Sequence, residues 1–507
     1  MDWSQMGYTI FASVYTAALV MVSLYGLHRY LIVYLFLRHR HKKPSPAGHF
    51  QALPRVTIQL PMYNEPTVAQ RIIEKACHVD YPRDRLQIQV LDDSVDETCR
   101  IARRTVDKMR GEGFDIQYIH RGDRIGYKAG ALAEGLKSAT GEFVTIFDAD
   151  FVPDPSILQQ SIHYFTDPKV CVVQTRWEHL NRNDSLLTRS QAIFLDGHFA
   201  IEHVARNRSE RFMSFNGTAG TWRRAAIDAA GGWRHDTLTE DLDLSYRAQL
   251  KGWKFIFLPE VTAPAELPPE MSAFKAQQFR WTKGGAQTAL KMLPRVMLSK
   301  VPLKVKIESF FHLTCFMLHM YMFVLVLLLF PAIYFQRSLL PPGSIWLGLF
   351  DIGVFTLATL SAGVFYMAGQ VQLYRDWQTV LKLMPMIMAL GVGICLSNTK
   401  AILEAMMGKK SEFVRTPKYG YGDRHLAAGP RGKPKRTFLP YVELGFGVYM
   451  TVCIVFSVVT RRAALTIPFL AIFAFGFFYV SLLSFQAARS ARRAEAKRDL
   501  PAASVAD

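Results

Sequence analysis

Four short clusters carry side chains able to do chemistry: Asp92-Asp93-Ser94, Asp148-Ala149-Asp150, Thr239-Glu240-Asp241, and Gln277, Arg280 and Trp281 within AQQFRW. The D-A-D pair is the sharpest. Two carboxylates two residues apart in an extended chain aim to the same side, and a hard divalent cation holding phosphate oxygens needs only one or two such ligands. Asp148 and Asp150 are therefore expected to hold Mg2+ or Mn2+ against a diphosphate. A group transfer that releases a diphosphate also needs a carboxylate to take the proton of the attacking hydroxyl. Asp241 is the candidate base, with Glu240 beside it, although acids at a helix start also serve simply to complement its dipole. Thr237 or Thr239 is expected to cap that helix. Gln277, Arg280 and Trp281 stand at i, i+3 and i+4 and share one helical face. An indole there can stack on a pyranose while Arg and Gln hold phosphate or hydroxyl groups.

These clusters need a scaffold. Short β-rich runs at Arg55 to Leu60, Gln87 to Leu91, Ile116 to His120, Phe143 to Phe147 and Val170 to Gln174 alternate with helical stretches, which implies a parallel α/β sheet. Ligands bind beyond the carboxyl ends of such strands. There stand PMYNE, with Asn64 and Glu65, then Asp92 and Asp93, then D-A-D. In Arg121 to Leu136, RGDRIGYKAGALAEGL, Gly126 and Gly130 permit close backbone approach and Lys128 can reach a phosphate.

The 507 residues allow two or three units, and half are hydrophobic. From about residue 307 onward the apolar residues collect into long runs. Gly7 to Leu27 is long enough to cross a bilayer and is followed by RHRHKK at 38–43, so it reads as an anchor, not a cleaved signal. Runs at 310–334, 345–372, 438–459 and 464–486 complete five expected spans. A run at 379–404, interrupted by Lys382, Pro385, Asn398, Lys400 and Glu404, is read as interfacial or re-entrant. That assignment keeps the segment 408–437, with nine Lys or Arg against two acids, on the same side as RHRHKK. The net charge of +18 gathers beside apolar runs, which favours a membrane surface over nucleic acid. The six cysteines show no C-x-x-C spacing and give no support for a zinc site.

Taken together, the series DDS, DAD, TED and Q-x-x-R-W before membrane spans resembles the processive family 2 glycosyltransferases, such as cellulose, chitin and hyaluronan synthases. The wording of RIGYKAGALAEGLK, FDADFVPDP, QTRWEHLN, FNGTAGTWRRAAIDAAGGW, TEDLDLSYRAQLKGWKF and QQFRW is closest to the plant cellulose synthase-like A and C proteins. The resemblance implies an α/β GT-A (Rossmann-like) domain joined to an α-helical transmembrane bundle. It implies inverting polymerisation of a β-linked, β-1,4 mannan, glucomannan or glucan from GDP-mannose or UDP-glucose, coupled to export. By motif position, Asn64, Glu65, Asp92, Asp93, Lys128 and Asp148 would bind the donor, Asp148 and Asp150 the metal, and Asp241 would act as base with Glu240. Phe215, Asn216, Gly217 and Thr218 with Gln277, Arg280 and Trp281 would bind the acceptor. The stretch Glu412 to Gly420 is similar to the gating loop of bacterial cellulose synthase, F-x-V-T-x-K, through Phe413, Thr416 and Lys418. Val414 and Thr416 are one residue out of register with that pattern, and a solvated basic linker is the competing reading.

The expected organisation is an anchor with its basic flank over 1–43, a cytosolic catalytic domain over 44–271 and interfacial helices over 272–306. Two spans follow over 307–374, then the interfacial helix and basic loop over 375–437, two further spans over 438–488 and a polar tail over 489–507. The placement is a plasma or inner membrane. Two other readings compete: transfer of one sugar to a polyprenyl phosphate or other lipid, and a transporter whose soluble domain only binds nucleotide.

Overall fold

A computed structural model describes residues 3–334, 345–413, 415–421, 437–461 and 466–499. Seven strands form one sheet in the order β3-β2-β1-β4-β6-β5-β7: β1 Val56–Met62, β2 Leu86–Asp92, β3 Ile116–His120, β4 Phe143–Ile146, β5 Val170–His179, β6 Gly220–Arg223 and β7 Lys254–Ala265. β6 runs antiparallel to both neighbours and the other pairings are parallel. Every residue of β1 and β2 is buried, as expected of strands covered on both faces. The strands read from sequence are all present. β6 and β7 are additions: β6 is too short to show a pattern, and β7 is interrupted by Pro259 and Pro264, which weakens its reading as a strand.

One face of the sheet carries Val56, Ile58 and Leu60 packed on Ile72, Ala102 and Val106 from helices Ala69–Cys77 and Thr98–Gly111. The other packs Val144 and Ile146 against Leu132 of the helix Tyr127–Ser138 and against Ile32 and Phe36 of the long helix Trp3–His39. Gly135 makes this fit possible, because a Cβ there would lie 2.5 Å from Gln59 Nε2. The long first helix thus shares a core with the sheet.

Among the described residues, five helices are long and apolar enough to cross a membrane: Met6–His39, Met317–Tyr334, Trp377–Met406, Leu439–Thr460 and Ile467–Ser490. Four coincide with expected spans. The fifth is the run read as interfacial; it breaks at Ile394 into helices Trp377–Gly393 and Cys395–Met406. The run at 345–372 forms a 30-residue helix, Ile345–Tyr374. The last helix, Ile467–Asp499, continues into the polar tail, and residues 500–507 lie outside the described residues. The basic segment 422–436 and Val414 also lie outside them.

Candidate active site

The strand ends converge as the α/β pattern requires. One cavity is lined by Glu65, Lys128, Asp148, Asp150, Asn216, Gly217, Glu240, Asp241, Gln277, Arg280 and Trp281, and also by Phe413, Thr416 and Lys418. Asp150 and Asp241 therefore face the same space, and Trp281 faces it too.

Gly126, at φ +74, begins the helix that carries Lys128, whose ammonium donates to Asp148 Oδ1 at 2.5 Å and to the Gly217 carbonyl at 2.9 Å. Burial opposes ionisation of Asp148, but Lys128 and Arg415 outweigh it and hold its carboxyl below the usual range. Lys418 Nζ lies 2.7 Å from Asp150 Oδ2. Both D-A-D carboxylates thus already face cations, and as hard oxygen donors they fit a divalent metal.

Asp241 lies in the first turn of the helix Glu240–Leu250. Burial, then the neighbouring Glu240, push its carboxyl from 3.8 to about 7. Thr239 is the N-cap residue, as expected, but its hydroxyl pairs with Thr288 Oγ1 at 3.0 Å and makes no cap hydrogen bond; Thr237 donates to the Thr239 carbonyl. Gly217, at φ +81, leaves room for this carboxylate: a Cβ there would lie 3.0 Å from Asp241 Oδ2.

The Q-x-x-R-W helix runs from Met271 to Leu298. Two adjacent glycines let it approach both neighbours. A Cβ at Gly284 would lie 2.6 Å from Thr239 Cγ2, and one at Gly285 2.1 Å from Phe316 Cε2. Lys291 clamps the same helix to Asp236 and Asp243 at 2.7 and 2.8 Å. Buried ion pairs Lys275–Glu443 at 2.6 Å and Lys283–Glu404 at 2.8 Å fix it to the membrane helices.

Other sequence-derived residues lie beside the cavity. Asp93 accepts a two-pronged contact from Arg121 at 2.7 and 2.5 Å, while Asp92 accepts from Tyr118 and from the Ser94 amide. Asn64, at φ +52, accepts from the Val95 amide and so braces that turn. Phe215 is packed inside against Trp222, and the Thr218 hydroxyl accepts the Asp148 amide proton; these two brace their loop from beneath, while Asn216 and Gly217 face the cavity.

Phe413, Arg415, Thr416 and Lys418 line the cavity instead of running as a solvated linker. Arg415 pairs with Glu65, and Phe413 stacks on Tyr127 beneath the Arg280 guanidinium. Glu266 accepts the amides of Tyr419 and Tyr421 at 2.7 and 2.8 Å and an Arg71 contact at 3.1 Å. Neither Arg415 nor Glu266 stands out in the sequence: one lies in a basic run, the other is a lone acid after β7.

Sequence reading also missed a polar network behind Asn216. On a π-helical stretch, His198–His203, His203 Nε2 lies 2.6 Å from Asn216 Oδ1 and His198 Nε2 3.0 Å from Asn216 Nδ2. His198 contacts Glu202, and Arg206 links Glu202 to Glu308 and thence to His28 on the first helix. Burial raises Glu202, but Arg206 and His198 hold it well below the carboxylate range.

A GT-A sheet bearing a D-A-D pair, a high-pKa carboxylate and a tryptophan-bearing helix anchored to membrane helices defines a membrane-embedded glycosyltransferase. Residues 54–284 match the family described as glycosyltransferase like family 2. Glucomannan 4-β-mannosyltransferase 2 of Arabidopsis thaliana is 35% identical over 473 residues, 87% of this chain and 85% of its own length. Glucomannan 4-β-mannosyltransferase 1 of Oryza sativa subsp. japonica is 36% identical over 419 residues, 79% and 77%. A mannosyltransferase from Pyrobaculum calidifontis, solved in complex with GDP-Man and Mn2+, shares the fold at TM-score 0.51 and 23% identity, over 73% of this chain and 99% of that one. The chain belongs to the family 2 glycosyltransferases, alongside the plant glucomannan 4-β-mannosyltransferases.

Proposed function

We propose that this enzyme extends a β-1,4-linked mannan or glucomannan with GDP-mannose as donor, on the cytosolic side of a plasma or inner membrane, and passes the product into its helical bundle for export. The observation that carries the reading is the single cavity shared by the D-A-D pair, Asp241 and Trp281. The plant relatives' activity supports the choice of sugar. Asp148 and Asp150 would hold Mg2+ or Mn2+, which when bound neutralises charge on the departing diphosphate.

The chain's own residues account for the remaining steps. Asp92 and Asp93 hold the nucleoside, and Asn64 and Glu65 brace its turn. Trp281 stacks on the terminal acceptor sugar, with Gln277 and Asn216 on its hydroxyls. Asp241 takes the proton of the acceptor hydroxyl, whose oxygen attacks the anomeric carbon from the side opposite the phosphate, so the C–O bond to diphosphate breaks with inversion. Lys128 and Arg280 receive the negative charge that leaves.

A strap formed by Phe413 and residues 415–421 reaches into this space at rest through Phe413, Arg415, Thr416 and Lys418. Its Lys418 ammonium meets Asp150 and its Arg415 meets Glu65, so donor and metal must displace both cations. Withdrawal and return of Phe413, Thr416 and Lys418 would gate each addition.

Purified membranes incubated with labelled GDP-mannose or UDP-glucose plus Mg2+ or Mn2+ test the reading. The expected product is a long polymer degraded by an endo-β-1,4-mannanase. A single labelled sugar in the lipid extract would replace this conclusion with lipid glycosylation, and no label transfer from either donor would overturn it.

A further inference from the structure

A second cavity, of about 280 Å³, opens where the first helix leaves its apolar stretch, away from the catalytic carboxylates. Arg38, His39 and Lys42 line one side of it, and Arg208, Arg211 and Lys304 the other. Glu210 is the one carboxylate among its lining residues, and it meets Lys304 at 3.2 Å with its side chain 85% exposed. Among the described residues no carboxylate lies within ion-pair distance of Arg38, Lys42 or Arg211. Two lining nitrogens, His39 Nδ1 and Arg208 Nε, are buried without a hydrogen-bond partner. Arg208 is 7% exposed, its Nη1 donating to Asn207 Oδ1 and its Nη2 to the Phe257 carbonyl. Like charges brought this close repel, and an unpaired buried donor is costly, so the cavity is short of an anion.

The approach to the cavity identifies the anion's source. Leu27, Leu31, Tyr34 and Arg38 stand at i, i+4, i+7 and i+11 on the first helix, one continuous face. The three apolar members are exposed, so an apolar lane runs down the helix and ends at the cationic cavity. Leu303 and Ile307, flanking Lys304 on the short helix Leu303–Thr314, are exposed as well. We propose that this cavity binds the phosphate of an anionic phospholipid headgroup, with an acyl chain lying along Leu27, Leu31 and Tyr34. Basic pockets at the polar ends of membrane helices are suited to such headgroups. The bound lipid would lock the first helix to residues 208–211, at the end of helix Val204–Arg208, and to helix Leu303–Thr314.

The full-length protein in neutral detergent, titrated with dioctanoyl phosphatidylglycerol, is expected to show a saturable rise in thermal midpoint of about 3 °C or more. Dioctanoyl phosphatidylcholine and inorganic phosphate should each give less than about a third of that shift. Arg38→Gln with Arg211→Gln should weaken the response about tenfold in lipid concentration, and Glu210→Gln, which removes the competing carboxylate, should strengthen it. An equal shift with phosphatidylcholine would overturn the proposal, as would a phosphate shift matching that of phosphatidylglycerol, which marks a free-anion site only. So would an undiminished response in the double variant, or a weakened one in Glu210→Gln should the double variant not fold.

Discussion

The pH dependence of transfer should be set by Asp241, and the glutamate beside it should move that dependence. With its carboxyl at about 7, Asp241 is about nine-tenths ionised at pH 8 and about one-tenth at pH 6. Only the ionised form accepts the acceptor's proton, so kcat/KM should fall about tenfold between those values. An aspartate at its ordinary 3.8 would be about 99% ionised at both and would give a flat profile. Burial is the larger cause of the rise and Glu240 the second, so Glu240→Gln should shift the acid limb to lower pH by a measurable fraction of a unit. The assay is initial rate against pH at fixed saturating metal, read as limb position; the plateau height is a separate quantity. In stability the sign is opposite. A carboxyl with a raised folded pKa contributes stability at low pH that is lost as pH rises through that value, so Asp241→Asn should be no less stable than wild type at pH 8. A wild-type profile flat down to pH 5, or a limb that Glu240→Gln leaves in place, would refute the assignment.

Three further outcomes are expected. Gly217→Ala, placing a methyl 3.0 Å from Asp241 Oδ2 at a φ of +81, should lower kcat about 100-fold with little change in donor affinity, measured by steady-state kinetics and calorimetry. Gly285→Ala should destabilise the fold by about 1–3 kcal/mol, because its Cβ meets the Phe316 ring, and Phe316→Ala in the same chain should recover part of that loss in denaturant unfolding. Lys418→Gln should lower the divalent cation concentration needed for half-maximal donor binding by about tenfold, since Asp150 no longer has an ammonium competing for it; equilibrium binding at varied metal checks this.

Much of the site was legible because its chemistry is written in contiguous words. Asp148 and Asp150, Glu240 and Asp241, and Gln277, Arg280 and Trp281 each stand in a short motif whose placement follows from strand end or helix face. What escaped reading depends on chain segments distant in sequence. Glu266 acquires its role only from amides more than 150 residues later, and the support of Asn216 by His198 and His203 needs a π-helical turn that leaves no compositional mark. Gly284 and Gly285 look like helix-weakening residues until the ring and the turn they accommodate are brought against them. The linker reading of 412–420 missed its pairings for the same reason: its basic residues resemble any membrane-proximal run until Glu65 and Asp150 are seen to receive Arg415 and Lys418.

The two hydrogen bonds from Tyr419 and Tyr421 to Glu266 lie at the far end of the strap from Phe413. If they persist while the catalytic end swings out, Lys418 never diffuses away. It then competes with metal and donor as a tethered ligand, at an effective concentration on the order of millimolar that dilution of the enzyme cannot change. The resting enzyme would accordingly respond to the supply of donor and divalent cation, and its inhibition would be independent of how many copies the membrane holds.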